Sequence, residues 1–157
     1  MQNNSVVVMN LYKGEMKMEI KEAVLEQEWD KAYELLKELR TDLSKVEFTH
    51  LLRDMRSEGY RVFCLYEAED IVSLAGVIIR TNFYAKRHVF VYDLVTSSSA
   101  RSMGYGRKLL QFVEKWGKEQ GCETVGLDSG LQRKDAHRFY ENKMGYQKSS
   151  YAFRKNL

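Results

Sequence analysis

"DLVTSSSARSMGYGRKLLQFVEKW", Asp93 to Trp116, decides how the rest of the chain is read. It begins as the end of a run rich in β-branched and aromatic residues, His88 to Thr96, which predicts a strand. Its second half places Tyr105, Leu109, Phe112, Val113 and Trp116 at helical spacing, with Lys108, Gln111 and Lys115 on the other side, so an amphipathic helix follows. Between the two lie Arg101, Gly104, Gly106 and Arg107. A helix amino terminus offers unpaired N–H groups and a partial positive charge, glycine lets an anion approach closely, and flanking arginines add charge. The stretch therefore suits a pyrophosphate; the same residues also fit a flexible helix start with solvated arginines. It matches neither G-x-x-x-x-G-K-[ST] nor G-x-G-x-x-G.

Working outward, residues 17–24 alternate polar and apolar and predict a strand. Leu25, Trp29, Ala32, Tyr33, Leu36 and Leu39 then recur at helical spacing, and Phe48, Leu51, Leu52 and Met55 repeat the pattern until Gly59 stops it. The polar connector "RTDLSKVE", Arg40 to Glu47, joins the two helices. Residues 60–67 and 71–80 form a predicted hairpin about Glu69 and Asp70, and the bend "NFYAKR" returns the chain into 88–96. Residues 124–128 predict a short strand, Ala136, Phe139, Tyr140 and Met144 a helix closed by Gly145, and residues 146–154 a final strand. A late strand-helix-strand unit needs a parallel crossover, so the order implies a mixed α/β sheet covered by helices. Residues 1–15 are expected to precede the fold as an extension, with 16–157 a single domain.

A chain of 157 residues can bury roughly two thirds of its unfolded surface, and its 44% hydrophobic and 30% charged content is that of a globular protein with a core. The net charge of +3 is slight and spread among acids, which argues against nucleic acid as a partner. No stretch has the length of a membrane span or the make-up of an export signal, so no membrane partner is expected. Cys64 and Cys122 have no metal-ligand spacing and read as reduced thiols of a cytoplasmic protein. No metal site is expected.

Arg101-x-x-Gly104-x-Gly106, after a strand ending "DLVT" and before an amphipathic helix, resembles the acetyl-CoA signature of the GNAT superfamily of N-acetyltransferases. "DAHRFYENKMGY", Asp135 to Tyr146, is similar to that family's A-x-x-F-Y-E-x-x-G-[FY] segment, with one extra residue between Glu141 and Gly145. Ser98 stands where many members have proline, Ser102 where glycine is common, and Arg133 in place of a frequent asparagine. The tail, "RKDAHRFYENKMGY" with "YAFRKNL", looks most like the aminoalkylphosphonate N-acetyltransferases.

The resemblance implies the GNAT fold: a mixed sheet with antiparallel N-terminal strands, a parallel splayed pair in the middle, and helices on both faces. It implies acetyl-CoA as co-substrate. The pyrophosphate would lie on the backbone of Met103, Gly104, Tyr105, Gly106 and Arg107, with Arg101 and Ser102 alongside. The pantetheine arm would run beside Leu94 and Val95, and Arg133, Ala136 and Phe139 would complete the cofactor surface. Tyr140 would protonate the departing thiolate, the Val95 N–H would serve the carbonyl oxygen, and Asp93 would act on the amine directly or through water. From the residues alone, Tyr140 also reads as packing beside Phe139, and Asp93 as an acid hydrogen-bonded for structure. His137 reads as an ordinary exposed histidine.

The acceptor expected from this likeness is a small-molecule primary amine, with Arg80, Lys86 and Arg87 available to an anionic group on it. A protein or peptide amine, and a non-catalytic acyl-CoA sensor, remain as alternatives. Homodimer formation stays open.

Overall fold

The computed structural model describes residues 8–14 and 16–157. The chain divides into two compact units, residues 1–126 and 127–157. The first carries a sheet in the order β1-β2-β3-β4-β5-β6, from Val8–Lys13, Met16–Glu22, Arg61–Glu67, Asp70–Asn82, Lys86–Thr96 and Thr124–Leu127. β1 to β5 are successively antiparallel, and β6 joins β5 in parallel. Helices α1 (Glu26–Leu36) and α2 (Lys45–Ser57) separate β2 from β3, and α3 (Tyr105–Glu119) leads from β5 to β6.

Alternation along the strands gives each sheet face its own layer. Val62, Cys64, Leu74 and Val95 pack with Trp29, Ala32, Tyr33 and Leu36 of α1 and Phe48 of α2. On the opposite face Phe63 meets Phe112 and Trp116 of α3, with ring centroids 5.1 and 5.0 Å apart. Gly117 lets α3 come close, since a Cβ there would lie 2.6 Å from a Val89 methyl. α2 starts at a reciprocal cap within the polar connector: Ser44 Oγ accepts the Glu47 N–H and the Glu47 carboxylate accepts the Ser44 N–H. Gly59 ends the helical run at φ +98°.

Two expectations are corrected. Val8–Lys13, within the expected extension, is a strand paired with β2, so the sheet begins before Met16. Residues 1–7 and 15, the rest of that extension, lie outside the described residues. Residues 146–154 form no strand. Tyr151 and Phe153 are exposed, and a strand exists only where a neighbour completes its ladder.

The second unit holds α4 (Lys134–Arg138), which widens at Phe139–Lys143 into a π-helical turn closed by a Met144 N–H to Phe139 carbonyl bond of 3.1 Å. A π turn takes in one more residue than an α turn. It falls where this chain has one residue more than the common family spacing. Gly145, at φ +73°, ends it.

Candidate active site

The pairing of β4 with β5 shifts by one residue in the middle. Gly76 faces Asp93 and Val77 faces Val91, so Tyr92 has no partner and forms a bulge. The bulge breaks the expected alternation. Val89 turns toward α3, whereas Val95 and Tyr92 join the cluster under α1 and α2. Strict alternation along the strand puts Asp93 on the face of Val89, Val91 and Val95; the bulge keeps it with Val95 but parts it from Val89 and sets it beside Tyr60 and Tyr92.

Asp93 is 7% exposed, and both of its carboxylate oxygens are engaged. Arg40 donates Nε to Oδ1 at 3.0 Å and its Nη2 lies 2.9 Å from the same oxygen as an ion pair, while the Tyr60 hydroxyl donates to Oδ2 at 2.7 Å. Arg40 Nη2 also donates to the carbonyl of the bulged Tyr92, at 2.9 Å. Burial first, and then the Asp93 charge, push the Tyr60 phenol far up, so it stays a hydrogen-bond donor. Sequence reasoning missed Arg40 and Tyr60, which lie 53 and 33 positions from Asp93. The only signal was that a buried acid needs a partner.

Among the described residues, no strand pairs with the carboxyl end of β5 on the side away from β4. The Ser97 N–H donates to the Val72 carbonyl at 2.9 Å, and alternate pairing puts the Val95 peptide in the same ladder, opposite Leu74. The Val95 N–H therefore points to β4, which corrects its expected role as donor to a substrate oxygen; the peptides of Leu94 and Thr96 face away from β4. β6 approaches β5 from the Glu123 N–H to Arg87 carbonyl bond of 2.8 Å onward and is four residues long. Advancing residue for residue, it runs out near Val91, so it does not reach Leu94 and Thr96.

Beyond β5, a short turn at Ser98–Ala100 leads into the glycine-containing loop. Ser102 sits at φ +64° and Gly104 at φ +82°. The left-handed backbone is why glycine suits the position of Ser102: that region is strained for serine by about 1–2 kcal/mol. Gly104 caps α3 with no side-chain hydrogen bond, and a Cβ there would meet open space. The first turn of α3 thus presents the N–H groups of Gly106 and Arg107, which have no acceptor within the helix. Arg101, Ser102, Met103 and Arg107 are exposed around them. These features fit a pyrophosphate. The Tyr105 side chain is not available to it, being 1% exposed and bonded through its hydroxyl to Glu67 at 2.6 Å.

In the second unit Tyr140 is buried, its ring 5.3 Å from that of Phe139 and 6.1 Å from that of Tyr146. Burial raises the Tyr140 pKa, and the charge of Arg133 opposes that rise. Ala136 and Phe139 are half-buried. His137 is also half-buried rather than exposed, with Nε2 2.9 Å from the Gly130 carbonyl. Among the described residues no group of three or more His, Cys, Asp or Glu is placed to hold a metal ion, and no helix is long and apolar enough to cross a membrane.

An open strand edge followed by an uncapped helix start suits an extended ligand that carries amides and a pyrophosphate, as an acyl-coenzyme A does. The profile of the "Acetyltransferase (GNAT) family" matches residues 23–146, and the chain belongs to that family. It is an N-acetyltransferase with acetyl-CoA as co-substrate. It is 41% identical over 137 residues to the uncharacterised N-acetyltransferase YhdJ of Bacillus subtilis, covering 87% of this chain and 96% of that one. It is 34% identical over 67 residues to the aminoalkylphosphonate N-acetyltransferase of Salmonella typhimurium, 43% of each chain. The fold superposes on aminoglycoside N-acetyltransferase AAC(6')-Iy, solved in complex with CoA, with a TM-score of 0.80 at 15% identity over 94% of this chain and 99% of that one.

Proposed function

We propose that the protein transfers the acetyl group of acetyl-CoA to the primary amine of a small molecule, directly within a ternary complex, and that residues 16–157 act as one catalytic domain. The observation that carries this reading is the open β5 edge at Leu94–Thr96 leading straight into the uncapped start of α3. Leu94 and Thr96 offer peptide groups to the pantetheine amides, and the backbone from Met103 to Arg107, with Arg101, takes the pyrophosphate. Arg133, Ala136 and Phe139 complete the cofactor surface.

The amine nitrogen bonds to the acetyl carbon, the carbon–sulfur bond breaks, and the thiolate receives a proton from Tyr140. Burial keeps that phenol protonated at neutral pH, and Arg133 limits how weak an acid it becomes. Asp93 accepts the amine's proton, directly or through water. Oδ1 is committed to Arg40, whereas Oδ2 accepts one hydrogen bond, from Tyr60, and keeps a lone pair free for this.

The acceptor is taken to carry an anionic group. Of the three cations expected there, Arg87 is tied to the Gln120 carbonyl at the end of α3, at 3.0 Å, and Lys86 lies exposed at the hairpin turn. Arg80 is the one that shares Tyr92 with Asp93's network. Its guanidinium lies 4.6 Å from the Phe90 ring centroid and 4.8 Å from that of Tyr92, and it donates to the Tyr92 hydroxyl. A guanidinium held against two rings in this way keeps further donors for a carboxylate or phosphonate. The partial relative in Salmonella typhimurium, by its name, acts on such amines. The test is an acceptor screen read by thiol release from acetyl-CoA, covering aminoalkylphosphonates, amino acids, polyamines, aminoglycosides and lysine peptides. Anionic small amines are expected to lead; preference for polycations would refute the anionic acceptor, and preference for peptides would refute the small-molecule reading.

A further inference from the structure

The α1–α2 connector carries two opposite charges two residues apart, Glu38 and Arg40, and each grips the donor segment at a different end. Arg40 holds Asp93 and the Tyr92 carbonyl, before the open edge. Glu38 Oε2 accepts the Ser98 N–H at 2.8 Å, after it, and lies 3.6 Å from Arg101 Nη2. Glu38 thus occupies, with its own negative charge, the arginine that the proposed function assigns to the pyrophosphate.

We propose that Glu38 is a positioning residue and the resting counter-ion of Arg101: it fixes the Ser98–Ala100 turn through the Ser98 N–H, and yields Arg101 to the pyrophosphate when acetyl-CoA binds. The geometry suits such an exchange. The Glu38–Arg101 pair is long and open to water, with side-chain exposures of 31% and 61%, so it is a weak contact that a multiply charged anion displaces. The Ser98 N–H bond, to the same Oε2, is the shorter of the two contacts and does not need Arg101, so the turn stays in place while Arg101 moves. The inference rests on the proposed placement of the pyrophosphate.

The two roles of Glu38 separate by substitution. Glu38→Gln keeps an acceptor for the Ser98 N–H and removes the competing charge; Glu38→Ala removes both. By calorimetry with CoA, Glu38→Gln is expected to bind about two- to fivefold more tightly than the unmodified protein, the range for one exposed charge. Glu38→Ala is expected to bind more weakly than Glu38→Gln, because the turn loosens. In an Arg101→Met background the gain from Glu38→Gln should vanish, a non-additivity that a purely structural Glu38 would not produce. Glu38→Gln binding CoA no more tightly than the unmodified protein, or a gain that survives Arg101→Met, overturns the exchange while leaving the donor site standing. Failure of the unmodified protein to bind CoA overturns the donor site itself, and the exchange with it.

Discussion

Gly76→Ala is the sharpest single perturbation of the Asp93 network, because Gly76 lies directly under Tyr60. A Cβ at that position would stand 1.8 Å from the Tyr60 hydroxyl oxygen, 2.5 Å from Cζ and 2.9 Å from Cε2. Gly76 is in the middle of β4, paired with both β3 and β5, so the strand has little freedom to retreat and Tyr60 must move instead. Its hydroxyl then leaves Asp93 Oδ2, to which it donates at 2.7 Å. Overpacking of a tight core is worth about 1–3 kcal/mol, and loss of a buried hydrogen bond to a charged group about 1.5–3 kcal/mol. The two overlap, so we expect destabilisation of about 3–5 kcal/mol, or a drop in Tm of roughly 10 °C for a chain of this size. Tyr60→Phe is the control: it introduces no clash and leaves only Oδ2 without its donor, for a loss of about 1–3 kcal/mol. Urea unfolding of the two variants measures both effects. A Gly76→Ala protein within 1 kcal/mol of the unmodified one would refute the packing of Tyr60 across Gly76, and with it the account of how Asp93 is held.

Tyr140→Phe should lower kcat about a hundredfold or more while CoA affinity by calorimetry stays nearly constant; normal turnover would reduce Tyr140 to a packing residue. Gly104→Asp should abolish most CoA binding, because it places a negative charge beside the α3 amino terminus and strains a backbone at φ +82°; unchanged affinity in a folded variant would refute the pyrophosphate site. Stability should fall on the alkaline side. Burial raises the pKa of Tyr60 and Tyr140, and the hydrogen bond to Glu67 pushes Tyr105 up to about 12. Folded-state values above the unfolded one, about 10, give stability that is complete below pH 10 and is lost as pH rises through the folded values. Thermal melts from pH 8 to 12 check this, and a flat profile above pH 10 would count against it.

What could be read from sequence and what could not divides along the range of the interactions. Tyr105, Leu109, Phe112, Val113 and Trp116 mark α3 because helical spacing repeats within a few residues, and all five are buried. Gly104 and Gly59 mark backbone turns for the same local reason. The face of Asp93 was not legible, since the bulge at Tyr92 arises from the register between two strands, and one unpaired residue reverses every inference drawn from alternation beyond it. The partners of Asp93 come from a connector and a strand remote in sequence, and nothing in the strand itself names them. The extra residue before Gly145 is the instructive intermediate case. As sequence it is only a departure from a spacing; as structure it becomes a π turn, with Tyr140 inside the widened segment and the Tyr146 N–H bonded to the Tyr140 carbonyl at 2.9 Å. The insertion is thus absorbed in the turn, without breaking the connection between the helix that carries Phe139 and Tyr140 and the glycine that closes it. Deleting Asn142 should then convert the π turn to an α turn and leave a folded protein, whereas deletion of a residue from an ordinary α-helix turns every later side chain by about 100°. Comparable CoA affinity and melting temperature in the Asn142 deletion would support that reading, and an unfolded product would refute it.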